Sequence, residues 1–223
     1  MRDARAREAA VVLRWVARGG ARSAVQAAVK APFVARAGAL LQGMRLVTLQ
    51  EAMSQFDIDS VALKPAVGGT HPWQIGVVEQ SLLAALVARR AATRVFEIGT
   101  FDGGTTLAVS QALPQSSEVH TIDLPDDAFD ATQSPDALTG ADIGHQFRGV
   151  DPAGRAQIIQ HRADTRQFDF SPWQASVDVV LVDAGHDYEA GLRDSLTALQ
   201  LVRPGGLVFW DDFEPYWHGL GKR

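Results

Sequence analysis

The sequence predicts an α/β protein whose core is a doubly wound parallel sheet. Short apolar runs with the composition of buried strands alternate along the chain with segments of helical periodicity. The runs are almost continuously apolar, which is typical of parallel strands that helices cover on both faces. We therefore expect a sheet of five parallel strands with helices on both of its sides.

The composition fits one such domain with an extension. The chain has 223 residues, of which 46% are hydrophobic and 21% are charged, as is ordinary for a globular protein. It contains no cysteine, which excludes disulfides and thiolate metal sites and leaves oxygen and imidazole ligands for any metal. The longest apolar runs are too short to span a membrane and no signal peptide is recognisable, so we expect a cytoplasmic protein.

The first fifty residues differ in charge from the rest. They carry nine Arg or Lys and only two acidic residues, whereas the whole chain has a net charge of −5. We assign residues 1–74 to an N-terminal helical arm with a linker and residues 75–223 to the main domain. The arm is expected to pack on the domain or on a second copy of it in a homodimer; peripheral contact with an anionic membrane is the alternative. Nucleic-acid binding is not expected, because few aromatic residues lie among the basic ones.

The elements of the domain can be assigned in order. Strands are predicted at residues 95–98, 118–124, 158–163, 177–182 and 206–210. Helices are predicted at residues 75–92, 105–113 and 188–201. The last helix carries Leu192, Leu196 and Leu199 at helical spacing, which marks its apolar face. Residues 125–154 form a long irregular segment after the second strand, which we interpret as a lid or substrate loop or, equally, as a mobile insertion.

A glycine turn links the first strand to the helix after it. The strand ends in Glu97-Ile98-Gly99, and Gly103-Gly104 precede the helix. Glycines let the backbone approach a ligand closely, and a helix N-terminus offers free N–H groups. A dinucleotide site would have the pattern Gly-x-Gly-x-x-Gly. Here Glu97 on the strand would repel a pyrophosphate but suits a cationic ligand such as a sulfonium or an amino group, so an NAD or nucleotide-sugar enzyme is disfavoured.

Acidic residues recur at the predicted strand ends, which share one edge of a parallel sheet. They are Asp123, Asp164, Asp183, Asp211 and Asp212. Asp123 can accept both hydroxyls of a ribose, as in dinucleotide folds, and Asp164 is placed to meet an adenine amino group. A single aspartate at a strand end commonly caps a helix, but five of them beside a glycine turn favour a ligand site.

Residues 94–212 resemble the class I S-adenosylmethionine-dependent methyltransferases, which have a Rossmann-like fold, in four successive motifs. The motifs are Glu97-Ile98-Gly99-Thr100, Thr121-Ile122-Asp123-Leu124, Asp183-Ala184-Gly185-His186-Asp187-Tyr188-Glu189, and Arg203-Pro204-Gly205-Gly206 leading to Trp210-Asp211-Asp212. The third is similar to a stretch of the small-molecule O-methyltransferases that act on sugars and natural products, and to the catechol and caffeoyl-coenzyme A type. The resemblance implies S-adenosylmethionine as cofactor, bound by Glu97, Gly99, Thr100, Phe101, Gly103, Asp123, Asp164 and Asp183.

The same resemblance implies a divalent metal, Mg²⁺, held by Asp183, Asp211 and Asp212. Independently, three converging carboxylates would repel one another, and Mg²⁺ would relieve that repulsion, orient two substrate hydroxyls and lower the pKa of the attacking one. His186, together with Asp183, is the candidate catalytic residue, with His186 as general base. The alternatives are that His186 only orients the neighbouring helix and that one aspartate of the trio caps a loop.

We therefore expect an O-methyltransferase that acts on a hydroxyl of a small molecule. The alternative is a catalytically impaired S-adenosylmethionine-binding protein that works through partner contacts of its basic arm. The family resemblance also implies an antiparallel strand pair after the fifth strand, and residues 213–223 are too few to form it. We expect the pair to be missing and the five strands to lie in the order 3-2-1-4-5 that the resemblance implies. The fifth strand is then exposed or covered by the N-terminal helices or a second subunit.

Overall fold

The computed structural model of the chain describes residues 53–58, 74–128, 142–185 and 188–211. The predicted N-terminal arm, most of the linker and residues 212–223 lie outside this part of the chain, so the division at residue 74 and the absence of a final strand pair stay predictions. Among the described residues, no helix is both long enough and apolar enough to cross a membrane.

Five parallel strands form a single sheet in the order β3-β2-β1-β4-β5, which confirms the predicted order. The strands are β1 (Arg94–Ile98), β2 (Glu118–Asp123), β3 (Gln157–Arg162), β4 (Val177–Val182) and β5 (Val202–Trp210). The helices are α1 (Val77–Arg89), α2 (Gly104–Ala112), the short α3 (His145–Arg148) and α4 (Tyr188–Leu201). Single 3₁₀ turns lie at Asp126–Ala128 and Ser171–Trp173.

Both faces of the central strand β1 are buried, which explains its continuous apolar sequence. Val95 packs on one face with Leu86 and Val87 of α1. Phe96 and Ile98 belong to a second cluster on the other face, where α4 and the residues around Trp173 cover the sheet. Alternate residues of a strand point to opposite faces of the sheet. Since elements cover both faces here, each of these apolar side chains is removed from water and contributes to stability.

The leucines predicted to form the buried apolar face of α4 lie on its exposed side instead. Leu192, Leu196 and Leu199 are 36%, 45% and 46% exposed. Ala198 and Asp194 are buried instead, and the Asp194 carboxylate accepts a hydrogen bond from the Thr165 hydroxyl at 3.2 Å. A small residue and a hydrogen-bonded acid thus face the sheet, and helical spacing alone could not show which face the sheet would cover.

β5 begins earlier than predicted because the Arg203-Pro204-Gly205-Gly206 turn is built into it as a bulge. Val177 pairs with Val202 and Val179 pairs with Leu207, so two steps along β4 face five along β5. Gly205 adopts φ +77° in this bulge, a value that glycine tolerates best.

Two histidines lie in the aromatic layer that covers β1–β3. His120 and His161 stack on each other, with ring centroids 5.4 Å apart, and both stack on Phe96. The edge of Trp173 closes the stack. Burial lowers the pKa of both histidines, although hydrogen bonding to Glu118 partly opposes this for His120.

Candidate functional site

The carboxyl ends of the strands meet at one edge of the sheet, as predicted, and backbone hydrogen bonds connect them there. The Asp183 N–H donates to the carbonyl of Ile98 at 2.8 Å, and the Asp211 N–H donates to that of Val182 at 3.1 Å. The ends of β1, β4 and β5 therefore place Asp183 and Asp211 on neighbouring strands beside the glycine turn.

Gly99 is required where the turn after β1 passes the end of β4. Its φ is +107°, and a β-carbon at this position would overlap the carbonyl oxygen of Asp183. The glycine thus permits close approach of two strand ends of the same protein. From the sequence, Gly99 was expected to permit close approach of a ligand. Whether the neighbour is a ligand or the end of β4, a side chain at this position would move the turn.

Asp123 organises the turn through its carboxylate. One oxygen, Oδ2, accepts hydrogen bonds from the N–H groups of Thr100 at 3.0 Å and Phe101 at 2.8 Å, and Oδ1 accepts from the N–H of Leu124 at 2.8 Å. Burial raises the pKa of Asp123, and these three backbone hydrogen bonds oppose the rise. The carboxylate that was predicted to bind a ribose therefore also fixes the backbone of Thr100 and Phe101. Each oxygen has two lone pairs, so binding a ligand hydroxyl remains compatible with this role.

Glu97 lies beneath the turn and is only 3% exposed. Its Oε2 accepts hydrogen bonds from the hydroxyls of Thr106 and, at 2.6 Å, of Thr121, whose oxygen is also 2.7 Å from that of Thr100. Burial raises the pKa of Glu97 to about 7, although the two threonine hydrogen bonds oppose the rise. The side chain is therefore an internal support of the turn, near Asp123, and it holds a proton part of the time at neutral pH.

Asp164 is engaged within its own turn. Its carboxylate forms an ion pair with the Arg166 guanidinium and also accepts the N–H of Arg166 at 2.9 Å. These hydrogen bonds lower the pKa of Asp164 to about 2. Contact with an adenine amino group stays a prediction, and it would have to use lone pairs that Arg166 leaves open.

The second half of the turn has an unusual backbone. Phe101 adopts φ +48° and Gly103 adopts φ +89° just before α2. A β-carbon at Gly103 would lie 2.5 Å from the Phe147 ring, so the protein itself fills the space above this glycine. Both residues were predicted to bind the cofactor, and the structure adds Phe147 as a neighbour of Gly103.

Sequence reasoning missed two polar residues next to the turn, Asp102 and Gln146, which are each 5% exposed. The Gln146 Nε2 donates to the Asp102 Oδ2 at 2.7 Å. The N–H of Gly104, at the start of α2, donates to the Asp102 Oδ1 at 3.0 Å. An aspartate just before a predicted helix is a sequence signal for such a hydrogen bond. Gln146 carries no local signal of its position.

Two of the three predicted metal ligands, Asp183 and Asp211, lie in the described part of the chain. Asp183 and Asp211 are half-buried and follow neighbouring strands, whereas Asp212 and the candidate base His186 lie outside the described residues. Among the residues that are described, no three His, Asp or Glu side chains group as metal ligands. Two carboxylates in this position offer the oxygen donors that Mg²⁺ prefers.

Known proteins are similar to this chain over the same region. Residues 96–213 match the methyltransferase domain family. Caffeoyl-CoA O-methyltransferase 2 from Zea mays is 27% identical over 152 residues, which are 67% of this chain and 53% of that protein. Tricin synthase 1 from Oryza sativa subsp. japonica is 28% identical over 145 residues, 64% of this chain and 55% of that protein. The chain thus spans little more than half the length of these relatives.

Among solved structures, the O-methyltransferase TomG from Streptomyces achromogenes, involved in tomaymycin synthesis and in complex with S-adenosylmethionine, is 26% identical. The overlap covers 71% of this chain and 60% of that one, with a TM-score of 0.41. The sheet order and the sequence match therefore carry the assignment. Since the match covers more than half of the chain, the protein belongs to the methyltransferase domain family and has the Rossmann-like sheet of its class I members.

Proposed function

We propose that the chain is an S-adenosylmethionine-dependent O-methyltransferase that methylates a hydroxyl group of a small molecule. The observation that carries the proposal is the Asp123 carboxylate, which holds the N–H groups of Thr100 and Phe101 at the edge where Asp183 and Asp211 also lie. A negative edge beside a rigid turn suits a cationic donor with a ribose. The names of the caffeoyl-CoA O-methyltransferase relatives support a hydroxylated acceptor.

S-adenosylmethionine supplies a methyl group on a positively charged sulfur. The chain's own residues bind this donor and orient it. We propose that Asp123 accepts hydrogen bonds from the ribose hydroxyls and that the turn from Gly99 to Gly103 lies along the methionine part. Bound there, the donor would supply its methyl group to the acceptor oxygen and leave as neutral S-adenosylhomocysteine. A base, for which His186 is the candidate, would take the hydroxyl proton. Alignment of three atoms on one line is the main task of such a site.

We propose that a divalent metal binds at this edge. Asp183, Asp211 and Asp212 would hold Mg²⁺, which would supply positive charge next to the acceptor oxygen and favour its ionised form. The half-buried, all-oxygen pair of Asp183 and Asp211 on neighbouring strands supports this choice.

Calorimetric titration with S-adenosylhomocysteine tests the first part of the proposal. We expect the protein to bind this product, and Asp123→Ala to weaken binding at least tenfold, because the turn loses its backbone acceptor and the ribose loses its carboxylate. Asp169→Ala is the matched control, since this exposed aspartate caps only its own turn through the N–H of Ser171. Equal affinities of the two variants would contradict the assignment of Asp123.

Methyl transfer to caffeoyl and catechol acceptors, with and without a chelator, tests the reaction and the metal. We expect turnover that the chelator reduces and added Mg²⁺ restores, and that Asp211→Asn reduces in the same way. Binding of the product without turnover on any hydroxylated acceptor would favour the impaired binding protein. The cytoplasmic location, the homodimer and the role of the N-terminal arm stay proposals that neither experiment addresses.

A further inference from the structure

The end of the long segment between β2 and β3 is anchored directly on the glycine turn. The N–H of Gly144 donates to the carbonyl of Phe101 at 2.7 Å, and the N–H of Gln146 donates to the carbonyl of Asp102 at 3.0 Å. The Phe147 ring covers the α-carbon of Gly103. Residues 142–149, which we call the clamp, therefore contact the turn through both backbone and side chains.

Asp102 is the polar centre of this contact. Its buried carboxylate accepts from the N–H of Gly104, from the Gln146 Nε2 at 2.7 Å and from the Nε2 of Gln74, just before α1. All three are neutral donors, and they come from three separate segments. A buried carboxylate needs such donors, because losing one leaves an acceptor without a partner in a poorly solvated site. The geometry of Asp102 therefore depends on Gln146.

The turn needs this outside support. Phe101 is a non-glycine residue in the left-handed region at φ +48°, and a residue of this kind persists there only when its surroundings over-determine it. Asp123 fixes the turn from the β2 side, through Thr100 and Phe101. The clamp fixes it from the opposite end, through Phe101 to Gly103.

We propose that Gln146 is a positioning residue that acts through Asp102 on the glycine turn, so that the clamp sets the affinity for the methyl donor. The inference rests on the proposed function of the turn. It gives residues 142–149 a task in holding the donor site. Within the described part of the chain, no donor reaches the buried amide oxygen of Gln146, so this side chain is held mainly by its bond to Asp102.

The test measures S-adenosylhomocysteine binding and the thermal midpoint of the ligand-free protein for a set of variants. Gln146→Glu has nearly the same shape, replaces the donor by an acceptor and places a carboxylate against Asp102. Gln160→Ala is the matched control, because its Nε2 holds the same segment through the carbonyl of Ile143 at 3.4 Å without reaching Asp102. Asp102→Asn combined with Gln146→Glu reverses the donor and acceptor at unchanged net charge.

We expect Gln146→Glu to raise the Kd for S-adenosylhomocysteine about tenfold or more, Gln160→Ala to change it less than twofold, and the reversed pair to recover most of the affinity. Gln146→Ala, which adds no charge, replaces Gln146→Glu if that variant does not fold. An unchanged Kd, or losses that simply follow the fall in thermal midpoint across all variants, overturns the inference while leaving the proposed function intact. Failure of the unaltered protein to bind overturns the proposed function and the inference with it.

Discussion

Replacing Glu97 by glutamine should change how stability depends on pH. Burial raises the pKa of Glu97 from 4.5 to about 7 in the folded protein. At roughly 1.4 kcal/mol per pH unit, this corresponds to about 3 kcal/mol. Between pH 4.5 and 7 the folded protein keeps a proton that the unfolded chain has released. The contribution of Glu97 is thus fully present below pH 4.5, falls as pH rises, and is lost above pH 7.

Glutamine keeps the shape of the side chain and an oxygen that can accept from the Thr106 and Thr121 hydroxyls, but it does not titrate. We therefore expect the free energy of unfolding of Glu97→Gln, relative to the unaltered protein, to increase by about 2 to 3 kcal/mol between pH 5 and pH 8. Taking this difference cancels the contributions of the histidines, which have the opposite sign.

Urea unfolding followed by tryptophan fluorescence at pH 5, 6, 7 and 8 measures the effect. Glu189→Gln is the control, since it makes the same chemical change at an exposed position on the first turn of α4. If the curves for Glu97→Gln and the unaltered protein run parallel from pH 5 to 8, Glu97 does not exchange a proton on unfolding and the argument from its burial is wrong.

Three further substitutions test other parts of the structure. Gly103→Ala should destabilise the protein by about 1–2 kcal/mol and weaken S-adenosylhomocysteine binding, because φ at this position is +89° and the Phe147 ring occupies the space of the new β-carbon. Urea unfolding and calorimetric titration measure the two effects. Gly149→Ala is the control and should have neither effect, because its β-carbon would meet no atom of the described residues within 4 Å. Burial alone would raise the pKa of Asp178, but hydrogen bonds from a guanidinium and two backbone N–H groups hold this pKa at about 2. Asp178→Asn should therefore lower the free energy of unfolding at pH 7 by about 1–3 kcal/mol. This effect should disappear as pH falls from 4 to 2, because the Asp178 carboxylate is then protonated. Burial lowers the pKa of His120, so the contribution of His120 to stability should fall as pH drops below 6.5. In the same urea experiment, the free energy of unfolding of His120→Phe relative to the unaltered protein should therefore rise between pH 7 and pH 5.

Much of the fold was predictable because its signals are local. Apolar runs located all five strands, and the helix at 188–201 was predicted with the bounds that the structure has. The rule that the carboxyl ends of parallel strands share one edge then placed Asp123, Asp183 and Asp211 at the same edge of the sheet. The orientation of α4 was not predictable, since it depends on the partner of Asp194 and not on the spacing of leucines.

The support of the site was predictable only in part. Glu97 stood out as a carboxylate on a buried strand, but its threonine partners come from β2 and α2, so its place beneath the turn had no sequence signal. The pair of Gln146 and Asp102 is separated by 44 residues, and no periodicity connects positions that far apart. The glycines at 99 and 103 were recognised as necessary, whereas their immediate neighbours, a carbonyl of β4 and the Phe147 ring, became visible only in three dimensions.

The bulge between β4 and β5 isolates the two ends of this strand pair from each other. Pairing is fixed at Val177 with Val202 on one side and resumes at Val179 with Leu207 on the other. Residues 203–206 can therefore gain or lose length in related chains without shifting the pairing from Val179 onward. The spacing between Asp211 and Asp183 would not change with such differences in length. The edge of the sheet at the amino ends of the strands can therefore vary while the carboxyl edge, which carries the acidic residues, keeps its register.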